Sequence, residues 1–391
     1  MQDILVLGAG KIGALICGLL AGSGDYRVQL ADKAEGAAEE VARAHGLDPI
    51  QPFTFDATDT ETLKAHVRKH PPVAVISGLP YYCNVAVATV AREEKLHYFD
   101  LTEDVEVTRS VRKLAEGAET VFVPQCGLAP GFISIAANEL IKHFDELRSV
   151  KLRVGALPQH PNNVLKYSLT WSTDGVINEY GNPCQSIING KEVDVQPLEG
   201  LEEIEIDGTL YEAFNTSGGL GSLAETYEGR VVTMNYKTIR YPGHCEQIRL
   251  LMNGLKLNND RPTLKRILEN AVPQTLQDVV IIYAAVTGLQ DGELREENYV
   301  NKVYPEVVSG RLWSAIQITT AAGVCSVMDR ILQSPDKHSG FIAQEQFSLK
   351  NILDNRFGEY YAHGGSSQLS AELVARGETG HQRNTQDKNN A

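Results

Sequence analysis

"LGAGKIGALICGLLAGSGDYRVQLADK" occupies residues 7–33, with glycines at 8, 10 and 13 in a G-x-G-x-x-G spacing. The chain holds 34 glycines, so the flanks carry more information than the spacing. Before it, Asp3-Ile4-Leu5-Val6-Leu7 is an apolar run bounded by a turn signal, which predicts a buried parallel strand. After it, small and apolar residues predict a helix over 14–21, and 26–31 reads as a second strand. That strand ends at Asp32, 19 residues beyond Gly13. Strand, glycine turn, helix, strand and acid in this order are the signature of a dinucleotide-binding unit.

Each part has a physical role. Gly8 permits the tight turn, Gly10 lets backbone approach a pyrophosphate, and Gly13 lets helix and strand press together. The helix N-terminus, with Lys11 and Ile12, offers unpaired N–H groups to phosphate. Asp32 suits the adenosine ribose hydroxyls and would repel a 2′-phosphate, so NAD is the expected cofactor, although Lys33 works against that preference. Asp3 and Lys11 argue against a secretion signal.

The 391 residues are enough for two domains. A formal charge of −14 speaks against nucleic acid or an anionic membrane as partner. No apolar run reaches the roughly 20 residues that span a bilayer. Six cysteines (17, 83, 126, 184, 245, 325) lack any C-x-x-C pair, which fits reduced thiols in the cytoplasm and no metal site.

Strand and helix patterns alternate up to about residue 124. Helices are expected over 34–45, 60–69, 83–94 and 104–116, and strands over 50–55, 73–76, 97–101 and 120–124. This alternation specifies a Rossmann-type α/β parallel sheet, with ligands beyond the carboxyl ends of its strands. Those ends add Asp56, Ala57, Gly78, Leu79 and Pro80 to the cofactor candidates. Residues 1–130 are therefore expected to form the NAD-binding domain. Beyond 131 the pattern turns to β-rich segments (150–155, 204–214, 231–241), a hairpin at Gln290-Asp291-Gly292 and a long helix over 313–332. We expect an α+β substrate and dimerisation domain with a mixed sheet over 131–361, its last helices able to pack back on the first domain. A disordered tail is expected over 364–391.

Candidate chemistry clusters in the second half. "KTIRYPGHCEQ" (237–247) places Arg240, Tyr241 and His244 around a Pro-Gly turn. Arg240 can fork onto a carboxylate and His244 can act as a base near neutral pH. A solvated turn accounts for the same residues. "FNTSGGLGSL" (214–223), with Thr216 and Ser217, reads as a loop closing over a ligand or as a surface turn. "PQCGLAPGF" (124–132) bends the chain beside the crevice, and its Cys126 is either a substrate neighbour or a packed thiol. "GLPYYCN" (78–84) puts Tyr81 where a nicotinamide should arrive.

Together "LGAGKIG", "VISGLPYY", "PQCGLAPGF", "GALPQHPNNVLKYSLTWSTDGVINEY", "EAFNTSGGL" and "KTIRYPGHCE" resemble the saccharopine dehydrogenase family, and within it the lysine 6-dehydrogenases. The likeness runs in order from Ile4 to about Tyr361. It implies pyridine-nucleotide oxidation of a carbon–nitrogen bond, in lysine metabolism, with 2-aminoadipate 6-semialdehyde as product. It also implies a homodimer or higher homo-oligomer acting on a small amino acid. Glutamate-forming members carry an acid where this chain has Ala129, and an arginine-bearing loop where it has Asn215-Thr216-Ser217-Gly218-Gly219. Both departures point to lysine, whereas "LTWSTDGVI" (169–177) resembles the saccharopine branch. Saccharopine is thus the alternative substrate, and a non-catalytic NAD-binding sensor is the alternative of a different class. In either reaction a base must free the nitrogen lone pair before hydride leaves the ε-carbon. His244 is the first candidate, Tyr81 the second, and Arg240 the clamp on the α-carboxylate.

Overall fold

The structure is a computed structural model that describes residues 1–46 and 49–362. Its first sheet has seven parallel strands. Six alternate with helices: β1 (Gln2–Leu7), α1 (Lys11–Gly22), β2 (Tyr26–Asp32), α2 (Ala37–His45), β3 (Ile50–Thr54), α3 (Thr60–Lys69), β4 (Ala74–Ser77), α4 (Asn84–Glu93), β5 (His97–Asp100), α5 (Val105–Ala115) and β6 (Val121–Val123). After α6 (Phe132–Ile141) the chain enters the second sheet through β7 (Glu146–Pro158), α7 (Thr173–Gly181), β8 (Cys184–Ile188), β9 (Lys191–Val195), β10 (Glu202–Ile206) and β11 (Thr209–Asn215). Next come α8 (Leu223–Tyr227), β12 (Val231–Arg240), α9 (His244–Arg249), α10 (Arg261–Ala271), β13 (Asp278–Gln290) and β14 (Glu293–Val303). A small ribbon, β15 (Glu306–Val308) and β16 (Arg311–Trp313), leads to α11 (Ala315–Leu332), β17 (Gly340–Phe341) and α12 (Leu349–Leu353).

Strand order in the first sheet is β17-β6-β5-β4-β1-β2-β3, a doubly wound arrangement whose order reverses beside β1. The second sheet runs β10-β11-β12-β7-β13-β14, with β8 and β9 attached to β12. It is mixed, because β12 and β7 are parallel and the other pairs antiparallel. This is the expected α/β sheet joined to an α+β unit.

Two local readings change. The segment 204–214 is not one strand but the hairpin β10–β11. Asp207 and Gly208 both take positive φ (51° and 73°), the geometry that two-residue hairpin turns demand. The long helix starts at Ala315 rather than at 313. Ser314 caps it and pairs reciprocally with Gln317 in a capping box, so Trp313 closes β16 instead.

Helix α11 is buried almost all round and packs on α1 as well as on β13. Each buried Ile, Val or Met there contributes about 1.5–3 kcal/mol relative to exposure. Beyond α11, β17 adds itself to β6 through Gly340 and Phe341. The chain therefore starts on the first sheet and returns to it at β17, with the second sheet inserted between.

Candidate active site

At the end of β1 the backbone turns at Gly8 (φ 98°), and Gly10 stands as N-cap of α1 without any side-chain cap. A Cβ on Gly13 would lie 1.8 Å from the Gly8 carbonyl oxygen, so turn and helix touch there. A Cβ on Gly10 would meet nothing within 4 Å. The N–H groups opening α1 therefore face free space, as a pyrophosphate requires. Asp32 braces this turn: Oδ2 accepts from the Ala9 N–H at 2.7 Å and Oδ1 from the Ala34 N–H at 2.8 Å. Each oxygen keeps a lone pair for a ribose hydroxyl. Lys33 is exposed and lies near enough to Asp56 to help hold its carboxyl below the usual range, behind two hydrogen bonds from Thr58. Ala57 is buried beside them. Lys11 Nζ donates to Gln274 Oε1 at 2.7 Å and ties the glycine turn to the segment preceding β13. These residues fit a pyridine dinucleotide.

Next to that crevice lies a cavity of about 240 Å³, between the carboxyl ends of β4 and β5 and the face of the second sheet. Ile12, Gly78, Leu79, Pro80 and Tyr81 line its side toward the crevice. Its charged groups are Glu103, Glu179 and Arg240. Arg240 ends β12 and is buried. Its Nε donates to Tyr180 Oη at 2.9 Å, its Nη1 donates to the Ile239 carbonyl at 2.8 Å, and its guanidinium lies 4.9 Å over the Tyr167 ring. Burial works against its charge, but Tyr180, Tyr167 and Glu179 outweigh it.

Glu179 rides on α7, which is buried on nearly every face. Ser172 caps that helix through the Gly175 N–H, and Gly175 presses on the Trp171 ring, where a Cβ would lie 2.3 Å away. Burial first, then the Glu103 charge, raise the Glu179 carboxyl to about 8, against the opposing pull of Arg240. Glu103 follows β5 and keeps part of its surface open, while its carboxyl is enclosed by protein. Burial, then Asp104, raise it to about 7.

The remaining expected residues lie behind the cavity wall. His244 is buried and does not line the cavity. Its Nδ1 faces the Leu165 carbonyl at 2.8 Å, so that nitrogen carries the hydrogen and Nε2 accepts from the Tyr180 hydroxyl at 3.0 Å. Burial and Arg240 push its pKa down to about 3. With both nitrogens engaged and no access to the cavity, His244 is not placed to deprotonate a substrate. Cys126 is likewise behind the wall. Its thiol donates to the Val123 carbonyl, accepts from Gln344, and is pushed far above its usual pKa by burial. Tyr241 donates to the Pro158 carbonyl at 2.9 Å. Thr216 and Ser217 are buried, and the Ser217 N–H and hydroxyl donate to the carbonyls of Glu179 and Pro183. Their loop is no lid. Gly218 presses on the Glu103 backbone, where a Cβ would lie 2.1 Å from the carbonyl oxygen. The loop thus clamps the two glutamate-bearing segments.

Glu103 and Glu179 are what sequence reading missed. Glu103 stands three residues past the end of β5, at a carboxyl end where ligands of such sheets bind. Glu179 lies in the short helix "TDGVINEYG", whose one other charged residue is Asp174 in the first turn. An acid surrounded by apolar helix positions was the available signal.

Residues 4–123 match the family profile for the saccharopine dehydrogenase NADP binding domain, and residues 127–360 that for the saccharopine dehydrogenase C-terminal domain. The chain is 22% identical over 414 residues to saccharopine dehydrogenase [NADP(+), L-glutamate-forming] of Saccharomyces cerevisiae, covering 97% of this chain and 86% of that one. It is 24% identical over 400 residues to the mitochondrial alpha-aminoadipic semialdehyde synthase of Rattus norvegicus, covering 95% of this chain but 42% of that protein. It spans only 21% of the corresponding Mus musculus protein, at 25% identity over half of this chain. The apo saccharopine dehydrogenase (L-Glu forming) structure from Saccharomyces cerevisiae superposes with a TM-score of 0.72 at 18% identity, covering 90% of this chain and 96% of that one. That match establishes a shared fold. With both profiles matched over nearly all the described residues, the chain belongs to the saccharopine dehydrogenase family of pyridine-nucleotide oxidoreductases.

Proposed function

We propose that this protein oxidises the Cε–N bond of lysine or an N6-substituted lysine, releasing 2-aminoadipate 6-semialdehyde. The observation that carries this reading is the cavity beside the dinucleotide crevice, where one buried guanidinium faces two buried carboxyl groups. Such a set suits an amino acid bearing a carboxylate and cationic nitrogen. The glycine turn and Asp32 would hold the cofactor, whose nicotinamide supplies the hydride acceptor when bound. Arg240 binds the substrate α-carboxylate through the N–H groups not already donated to Tyr180 and Ile239. Tyr81 lines the cavity, and burial, assisted by Asp104, raises its pKa. It therefore stays protonated and acts as a hydrogen-bond donor rather than as the base.

Saccharopine is the substrate that the names of the yeast and Pyricularia oryzae relatives support. Free lysine is a second reading, favoured by one observation. Arg240 is the only cationic side chain lining the cavity among the described residues, whereas saccharopine brings three carboxylates. Homo-oligomeric assembly and a cytoplasmic setting belong to the same proposal.

NAD is the proposed cofactor, because a 2′-phosphate would crowd the Asp32 carboxylate. The two fungal relatives are named as NADP(+) enzymes, so Lys33 is the residue that would compensate. The test is reduced-nicotinamide formation with saccharopine and with lysine, using each cofactor, while assaying glutamate and ammonia. Glutamate release identifies saccharopine, ammonia release identifies lysine, and no turnover with either rejects the reading. kcat/KM is expected to favour NAD by tenfold or more, on the order of the roughly 1.4 kcal/mol that one well-placed contact is worth. Equal use of NADP would reject the role given to Asp32.

A further inference from the structure

Beneath Arg240 the cavity wall holds a pair of carboxyl groups with no obvious structural duty. Glu179 is buried at 6% exposure, lines the cavity, and its carboxyl makes no side-chain hydrogen bond among the described residues. Glu103 lines the same cavity, and its carboxyl is held only by its own backbone N–H and by a long 3.5 Å hydrogen bond from Asn178 Nδ2. Acids enclosed this way are costly unless something pairs with them. The Ser217 N–H holds the Glu179 carbonyl at 2.9 Å and Gly218 packs on the Glu103 backbone, so the loop over 216–218 holds both segments in place.

Resting on the reaction given above, we propose that Glu103 and Glu179 form the proton-accepting pair that takes the ammonium proton from the substrate's ε-nitrogen. The N–H bond breaks, its electron pair stays on nitrogen, and the proton bonds to a carboxylate oxygen. The lone pair is then free to expel hydride from the adjacent carbon. Two carboxyl groups facing each other give up their protons in separate steps that belong to the pair. Their raised values, about 7 and about 8, leave the pair holding roughly one proton near neutral pH. The groups facing them are Asp104, Asp100 and Tyr81 on the Glu103 side, and Arg240, Tyr180, Tyr167, Tyr236 and Cys184 on the Glu179 side. Arg240 is the only cation in that set, and it favours the ionised form that accepts the proton. The cationic nitrogen of the substrate supplies the second.

Two measurements on the full chain test this. In cofactor-free protein with carbon-13-labelled glutamate carboxyls, two signals should titrate well above the ordinary glutamate value of about 4.3. Both should vanish in E103Q/E179Q. In turnover assays, kcat/KM should fall on the acid side as the pair becomes fully protonated. Each single Gln variant should keep an acid limb set by the surviving carboxyl and lose the second, higher titration, because a like-charged neighbour raises only that step. E103Q/E179Q should abolish the limb and lose on the order of 10²-fold or more in kcat/KM, with cofactor affinity unchanged as the check on folding. Titration of both groups near the ordinary value, or an E103Q/E179Q enzyme with wild-type rate and pH profile, overturns the pair. A wild-type chain inactive on both substrates overturns the reaction and the pair's role in it, while raised titrations would still establish that the cavity holds both carboxyls against ionisation.

Discussion

Arg240 owes its orientation to two side chains that never reach the cavity. His244 presents a lone pair to the Tyr180 hydroxyl hydrogen, which leaves the Tyr180 oxygen free to accept from Arg240 Nε. Tyr180→Phe removes this link and leaves both His244 Nε2 and Arg240 Nε unpaired in a buried site. A hydrogen bond to a charged group is worth about 1.5–3 kcal/mol, so KM should rise about tenfold or more while kcat falls less. His244→Ala should follow the same pattern, with the acid limb of kcat/KM kept in place. Loss of that limb would make His244 the base after all. "KTIRYPGHCE" alone read equally as a solvated turn; the family resemblance singled out Arg240, and the structure puts it in the cavity wall. His244 was misread for a physical reason: residue type gives proton affinity in water, whereas burial beside a guanidinium removes it.

Helix α11 shows the same contrast among elements. Its capping box, Ser314 and Gln317, is visible in sequence, but its second cap is not. Asp278, the first residue of β13 and fully buried, accepts from the Ala315 and Ile316 N–H groups at 2.6 and 3.0 Å. Asp278→Ala leaves two buried donors unpaired, at about 1–3 kcal/mol each, and should lower the melting temperature. Asp278→Asn, which keeps an acceptor, should cost less. Burial raises the Asp278 pKa to about 7 despite those bonds. The folded state therefore holds a proton that the unfolded state has released, and this group's contribution to stability falls as pH rises from about 4 to about 7. The Asn variant should lack that component of the pH dependence. A melting temperature unchanged in Asp278→Ala would show that Ser314 caps the helix alone.

Across the whole molecule, the chain leaves the first sheet after β6, builds the second, and returns through α11 and β17 to cover the first again. A fragment ending near Gln125 contains the glycine turn and β1–β6, yet exposes the face of α1 that α11 covers and the edge of β6 that β17 covers. It is expected to aggregate, or to melt well below the full chain, and to bind NAD weakly. A soluble fragment with full-length NAD affinity would show that the returning segment is dispensable. The site depends on the same return path. Leu79 and Glu103 come from the first sheet's loops, Arg240 from β12, Glu179 from α7 and Thr320 from α11, and together they enclose one cavity.

The sequence by itself determined the dinucleotide-binding half, because strand, turn and helix there are each encoded within a few consecutive residues. Gly13 must be glycine to touch Gly8, and Asp32 ends the second strand. The ordered motifs carried the family, and Arg240 came with them. Only the tertiary structure decided which groups face the cavity. His244, Tyr241, Cys126, Thr216 and Ser217 share motifs with the site but point their polar atoms at backbone carbonyls or neighbouring side chains, or are simply buried behind the wall. Glu103 and Glu179, 76 positions apart in no common motif, meet there because separate elements are packed together. Side-chain direction and burial arise from contacts between distant segments, and those contacts have no local pattern to read.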